Sequence, residues 1–105
     1  MTEPLGIYET VWPRGAQRQK LESPAPRIAD LSGKTIGLVW NFVFRGEEIF
    51  PLLQQEINKR FPDVKFVGPE EFGNTHGSDE RQVLSELPAR LKEFGVDAVI
   101  SGNGC

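Results

Sequence analysis

Residues 34–40, KTIGLVW, decide the fold. They form a nearly unbroken run of apolar and β-branched side chains, and the polar segment NFVFRG (41–46) follows directly. Such a run is typical of a strand that is covered on both faces, as the strands of parallel sheets are. We therefore predict a central parallel strand here.

Two amphipathic helices and two further strands follow this strand. The segments GEEIFPLLQQEINKRF (46–61) and DERQVLSELPARLKEFG (79–95) each place their apolar residues on one helical stripe. The short runs VKFV (64–67) and DAVIS (97–101) have strand character. The order β-α-β-α-β, with long right-handed crossovers, predicts an α/β fold: the three-layer half of a doubly wound, Rossmann- or flavodoxin-like parallel sheet with strand order 2-1-3.

Local signals within the helices are mixed. Pro51 should fall in the first turn of its helix, where a missing N–H costs little. Pro88 lies inside the second apolar stripe and predicts a kink or a break. Asp79, with Gln82 three residues later, resembles a capping box at the start of that helix.

The chain divides into two parts. Residues 1–33 contain four prolines and no sustained periodicity, so we predict an extended, Pro-rich N-terminal arm. Residues 34–105 form an incomplete α/β domain, because no helix follows the third strand to cover the sheet. Tyr8 and Trp12 are the expected anchors of the arm. Packing against its own domain is the favoured arrangement, and packing against a partner subunit is the alternative.

Composition excludes several classes of function. The 105 residues include one cysteine and one histidine, so neither an intrachain disulfide nor a metal site of about four ligands is expected, and no cofactor is predicted. No apolar run approaches the length of a membrane span, and the N-terminus lacks a signal-peptide core. The net charge of −3 argues against nucleic acid as a partner. We expect a soluble cytoplasmic protein, since a lone thiol suits a reducing compartment.

A candidate site lies where the strand order reverses. Open α/β sheets bind ligands beyond the carboxyl ends of their strands, at this switch point. In a 2-1-3 order the loops after the first and third strands flank it, and the long loop GPEEFGNTHGSD (68–79) can reach over. The residues predicted to bind substrate there are Asn41, Arg45, Gly102, Asn103 and Gly104. The two glycines would permit positive φ and leave backbone N–H groups free to face an anion.

Cys105 and His76 are the candidate catalytic residues. Cys105 follows a glycine turn at the carboxyl end of a strand, where a following helix would lower the pKa of a thiol. His76 could serve as an acid, a base or a substrate contact. Because a dinucleotide fingerprint needs its glycines after the first strand, a classical NAD site is disfavoured.

Two segments carry a resemblance to a known family. LSGKTIGLVWN (31–41) and GVDAVISGNGC (95–105), with the elements between them, resemble the UGSC (seleno)protein family over residues 28–105. The resemblance implies a redox motif directly after the glycine turn: selenocysteine or cysteine followed by Gly-Ser-Cys. The Gly-Ser-Cys half is absent here. Cys105 corresponds either to the first residue of the motif or to the residue before it.

The resemblance leads to a hypothesis about function. We expect the N-terminal portion of a thiol or selenol oxidoreductase, truncated at an in-frame selenocysteine codon after Cys105, with a small-molecule substrate and a thiol reductant as partners. The 105-residue portion should be inactive alone. The alternatives are a non-catalytic half-domain that completes a partner's fold, with a second chain or an oligomer covering the open sheet, and an aspartate/glutamate-racemase-like half.

Overall fold

A three-stranded parallel sheet organises the protein, which a computed structural model describes over residues 5–16 and 19–104. In chain order the elements are β1 (Thr35–Trp40), α1 (Gly46–Arg60), β2 (Lys65–Val67), a 3₁₀ turn (Pro69–Glu71), α2 (Glu80–Glu93) and β3 (Ala98–Gly102). The sheet order is β2-β1-β3, and both pairings are parallel. The predicted α/β fold and its 2-1-3 order are therefore confirmed.

The two faces of β1 carry separate apolar clusters. Ile36 and Leu38 are buried on one face together with Phe50 of α1 and Val64. On the other face Gly37 lies against Phe72 and Val96, with the α2 side chain Val83 also buried. Alternate residues of a strand point to opposite faces, so the sheet is a middle layer between the two helices.

The prolines and the cap of α2 differ from the sequence-based expectation. Pro51 is the sixth residue of α1 rather than part of its first turn, so the helix lacks one interior hydrogen bond. Helix α2 continues through Pro88 without the predicted break. Asp79 occupies the N-cap but makes no side-chain cap bond, and Gln82 instead bonds Glu86 at 3.1 Å. Burial of Phe50 in α1 and of Val83 in α2 offsets part of these local losses.

The N-terminal segment has no helix or strand in residues 5–16 and 19–30, and its described residues are exposed. Tyr8 is 88% exposed and Trp12 is 77% exposed, so the expectation that they pack against their own domain is wrong. Leu31 is the first of the described residues that packs against the core. The described helices include none that is long and apolar enough to cross a bilayer.

Candidate functional site

The ends of β1 and β3 bring two loops together. Trp40 lies opposite Gly102 in the parallel register, so residues 41–46 and 102–104 leave the sheet side by side. The backbone N–H of Asn41 donates to the carbonyl oxygen of Gly102 at 3.2 Å and extends the pairing one residue beyond β1. This is the switch point of the 2-1-3 order, where α/β folds place their ligands.

The Asn41 side chain fastens the two loops to each other. Its Nδ2 donates to the carbonyl oxygen of Gly104 at 2.8 Å, and its Oδ1 accepts from the Gly104 N–H at 3.1 Å. The same Oδ1 accepts from the Val43 N–H at 3.2 Å. Asn41 shapes the turn at the end of β1, and its predicted contact with substrate stays a prediction. It fixes the backbone immediately before residue 105.

The loop after β1 is held in an unusual backbone conformation. Phe42, Phe44 and Arg45 have φ values of 59°, 58° and 35°, in the left-handed region that side chains other than glycine rarely adopt. The cost is of order 1–3 kcal/mol per residue. Trp40 offsets part of it, since its Nε1 donates to the Val43 carbonyl oxygen at 3.0 Å and its ring stacks on Phe42 at 4.6 Å. Backbone strain of this kind concentrates at functional sites.

The turn glycines are required by close packing rather than by positive φ. A β-carbon on Gly104 would lie 2.7 Å from the Val43 carbonyl oxygen, and one on Gly102 would lie 2.8 Å from the Phe50 ring. Neither glycine has positive φ, so that part of the prediction is wrong. The Gly104 N–H is also not free for an anion, because Asn41 accepts it.

Arg45 and Asn103 lie at this edge with their side chains engaged locally. The Arg45 guanidinium pairs with Glu48 at 3.1 Å, and both side chains are exposed. Asn103 Nδ2 makes a long contact of 3.4 Å to the Ser101 hydroxyl. Arg45 and Asn103 therefore lie at the border of the candidate site, and their contact with substrate stays a prediction.

The loop between β2 and α2 reaches the same edge, as expected. The Thr75 N–H donates to the Trp40 carbonyl oxygen at 3.4 Å, and Asn74 forms a parallel bridge with Trp40. His76 follows directly, but its side chain is 73% exposed, and its Nδ1 lies 3.9 Å from a Glu80 carboxylate oxygen. His76 is therefore near the edge without a described contact to the glycine turn. Cys105 lies outside the described residues.

A pair of aromatic side chains that was not among the predicted site residues adds a partly exposed surface at this edge. Trp40 is half-buried and Phe42 is 45% exposed, and together they line a cleft of about 310 Å³ at the carboxyl end of β1. The run WNFVF at a strand end was the available signal. Within residues 5–16 and 19–104, no group of three His, Cys, Asp or Glu side chains is arranged to hold a metal ion.

A family model for the UGSC family matches residues 9–105. The chain belongs to the UGSC family. The match begins within the N-terminal segment, so this UGSC protein carries most of its arm inside the family region, beyond the residues 28–105 on which the resemblance was recognised. No curated protein and no solved structure matches the chain.

Proposed function

We propose that this edge of the UGSC protein is the front of a thiol or selenol oxidoreductase site that acts on a small substrate. The observation that carries the proposal is the double hydrogen bond between the Asn41 carboxamide and Gly104. A nucleophile needs a fixed approach to its substrate, and this contact fixes the backbone from which residue 105 follows. The family resemblance supports the assignment, since its redox motif comes directly after this turn.

Each residue of the site has a proposed role. Cys105 is the nucleophile or the neighbour of a selenocysteine nucleophile, and Asn41 is the positioning residue for it. His76 donates a proton to the leaving group. Arg45 and the turn 102–104 contact the substrate. Because a thiolate is the reactive form, a reducing compartment such as the cytoplasm suits this chemistry.

The proposed step balances as a thiol–disulfide exchange. The Cys105 thiolate attacks one sulfur of a small disulfide, an S–S bond forms between them, and the other sulfur leaves as a thiolate that takes up a proton. In the complete motif a second thiol attacks the mixed disulfide and releases the second substrate thiol. The substrate is then reduced by two electrons and the protein pair is oxidised, and an external thiol reductant restores the pair.

The rate of alkylation of Cys105 by iodoacetamide, followed against pH, tests the proposal on the chain itself. A catalytic thiol should titrate below the value of about 8.5 for a free cysteine. An aromatic disulfide probe should release one equivalent of thiolate per chain. A titration at the free-thiol value would contradict the proposal. The selenol form also requires an in-frame UGA codon after codon 105 followed by Gly-Ser-Cys codons, and any other stop codon would exclude it.

A second function, a non-catalytic subunit that completes a partner's fold, is favoured by a different observation. Val99 of β3 is 44% exposed and Leu84 of α2 is 50% exposed, so apolar area on the sheet and helix lacks a cover among the described residues. A tagged chain expressed in its native cell should then co-purify with a second polypeptide in fixed stoichiometry. Recovery of the chain alone, with a depressed Cys105 pKa, would favour the enzyme.

A further inference from the structure

The N-terminal arm exposes an apolar and basic segment. Within residues 5–21 the large apolar side chains are each at least 77% exposed: Leu5, Ile7, Tyr8, Val11, Trp12 and Leu21. Residues 10–21 also include three basic residues and no acidic one. Soluble monomers seldom expose so much contiguous apolar surface without using it for binding. The UGSC family match begins at residue 9, so Val11, Trp12 and Leu21 lie within the family region.

The cleft beside β1 has the complementary character. Its apolar wall includes Trp40, Phe42 and Phe50, and its rim carries the carboxylates of Glu47 and Glu70. Across residues 5–16 and 19–104, neither carboxylate has an ion-pair partner. The volume of about 310 Å³ is at the low end for ligand pockets, roughly 300–1,000 Å³. An aromatic ring with a neighbouring cation fits such a cleft.

We propose that Trp12 and Arg14 of one chain dock in this cleft of a second copy. The Trp12 indole packs on the exposed Phe42 ring and the Trp40 edge, as aromatic pairs do at interfaces. The Arg14 guanidinium lies at the acidic rim and pairs with Glu47 or Glu70. The docked arm then lies beside Asn41, so each copy contributes residues to the mouth of the other copy's candidate site.

The course of the arm favours a second copy over its own body. The arm joins the body at Leu31, just before the amino end of β1, whereas the cleft lies at the carboxyl end. Pro24 and Pro26 stiffen the connecting segment in an extended form. The molecule is accordingly 85 Å long against 33 and 26 Å in the other directions. Trp12 and the other apolar residues of the arm are exposed and do not line their own cleft, which leaves them available to a neighbour.

The expected contact is small, because one Trp side chain buries about 150–250 Å², whereas specific complexes bury about 800 Å² per partner. The dimer should therefore be weak and form only at high protein concentration.

Sedimentation of the full chain and of two charge variants tests the exchange. Arg14→Glu places an acid opposite the acidic rim, and Glu70→Lys places a base opposite the basic arm. Each variant alone should dissociate at least roughly tenfold more readily than the wild type. An equimolar mixture should form heterodimers again, because both reciprocal contacts then join opposite charges. Arg27→Glu, the same charge change on the exposed part of the arm outside residues 10–21, is the matched control and should stay dimeric.

Each outcome decides the proposal. Dimeric wild type, weakened single variants and a restored mixture support it. A wild type that is monomeric at all concentrations overturns it, and so does a mixture that stays dissociated, since docking within one chain cannot be restored by mixing. Single variants as dimeric as Arg27→Glu also overturn it. Circular dichroism of each variant establishes that the helices are retained. The sedimentation test does not measure redox activity. A failure of the dimer proposal can therefore be distinguished from a failure of the oxidoreductase proposal.

Discussion

Replacing Asn41 with alanine should release the glycine turn from the loop after β1. The substitution removes three hydrogen bonds, of 2.8, 3.1 and 3.2 Å, that join the carboxamide to Gly104 and Val43. Among the described residues, the two loops then share the backbone contact from Asn41 N–H to Gly102 and their packing. The backbone of Gly104, from which residue 105 follows, is then no longer held in one position. The reactivity of the Cys105 thiol should fall if it depends on that position.

The size of the effect follows from the number and burial of these bonds. A net contribution of about 0.5–1.5 kcal/mol per hydrogen bond gives roughly 1.5–4.5 kcal/mol for three. Asn41 is half-buried, so water replaces part of the loss, and about 2–3 kcal/mol remains. At 1.4 kcal/mol per factor of ten, the opening of the turn should become roughly 30- to 150-fold more frequent. Asn41→Asp keeps the accepting oxygen and loses the donor, so its effect should be intermediate.

Amide hydrogen exchange of Gly104 measures this opening directly, with Cys105 alkylation as the functional readout. Asn58→Ala is the matched control, since the Asn58 carboxamide donates to Phe61 and Val64 at the other end of the sheet. The control should lower the urea midpoint, but it should not change the exchange rate of the Gly104 amide relative to the core amides of the same variant. Equal exchange of Gly104 in the two variants, or no protection in the wild type, would refute the clamp.

Three further changes test the packing and electrostatics of the fold. Leu38→Ala removes a fully buried side chain from the main core, so it should cost about 2–5 kcal/mol of unfolding free energy, measured by urea denaturation. Gly104→Ala should cost about 1–3 kcal/mol by the same measurement, because its methyl group meets the Val43 carbonyl, whereas Gly15→Ala has open space and should be neutral. Hydrogen bonds from Gln82 and then Arg90 lower the pKa of Glu86, so its stabilisation is present above the unfolded value and is lost as pH falls through the folded one. Glu86→Gln should therefore flatten the acid side of the stability curve, and curves that stay parallel below pH 4.5 would contradict this.

The fold was predictable because its elements have strong local patterns. The apolar run of β1 and the stripes of α1 and α2 needed no tertiary information, and the parallel order followed from the crossovers. Pro51 lies deeper in its helix than predicted and Pro88 does not break α2, because the cost of a proline in a helix is limited and tertiary packing can offset it. Both helices form although each proline removes one backbone hydrogen-bond donor from its helix.

The site was predictable only in part, because its decisive contacts are distant in sequence. The meeting of Asn41 with Gly104 followed from strand order, but the hydrogen bonds that join them span 63 residues and have no sequence signature. The left-handed conformations of Phe42 and Phe44 oppose local preference, so no propensity argument could have found them. The extended arm was predicted, but the exposure of Tyr8 and Trp12 was not, because large aromatic rings usually indicate burial.

The loop after β1 and the glycine turn act as one structural unit. Val43 is held from both sides, with its carbonyl oxygen bonded by Trp40 and its N–H bonded by Asn41. That same carbonyl lies against Gly104, where a side chain has no room. The strained backbone around Phe42 and Phe44 is therefore stable only while Trp40 and Asn41 hold it, and the turn is in place only while the loop is. A ligand that breaks the hydrogen bond from Trp40 to the Val43 carbonyl should therefore also disturb the contact of that carbonyl with Gly104.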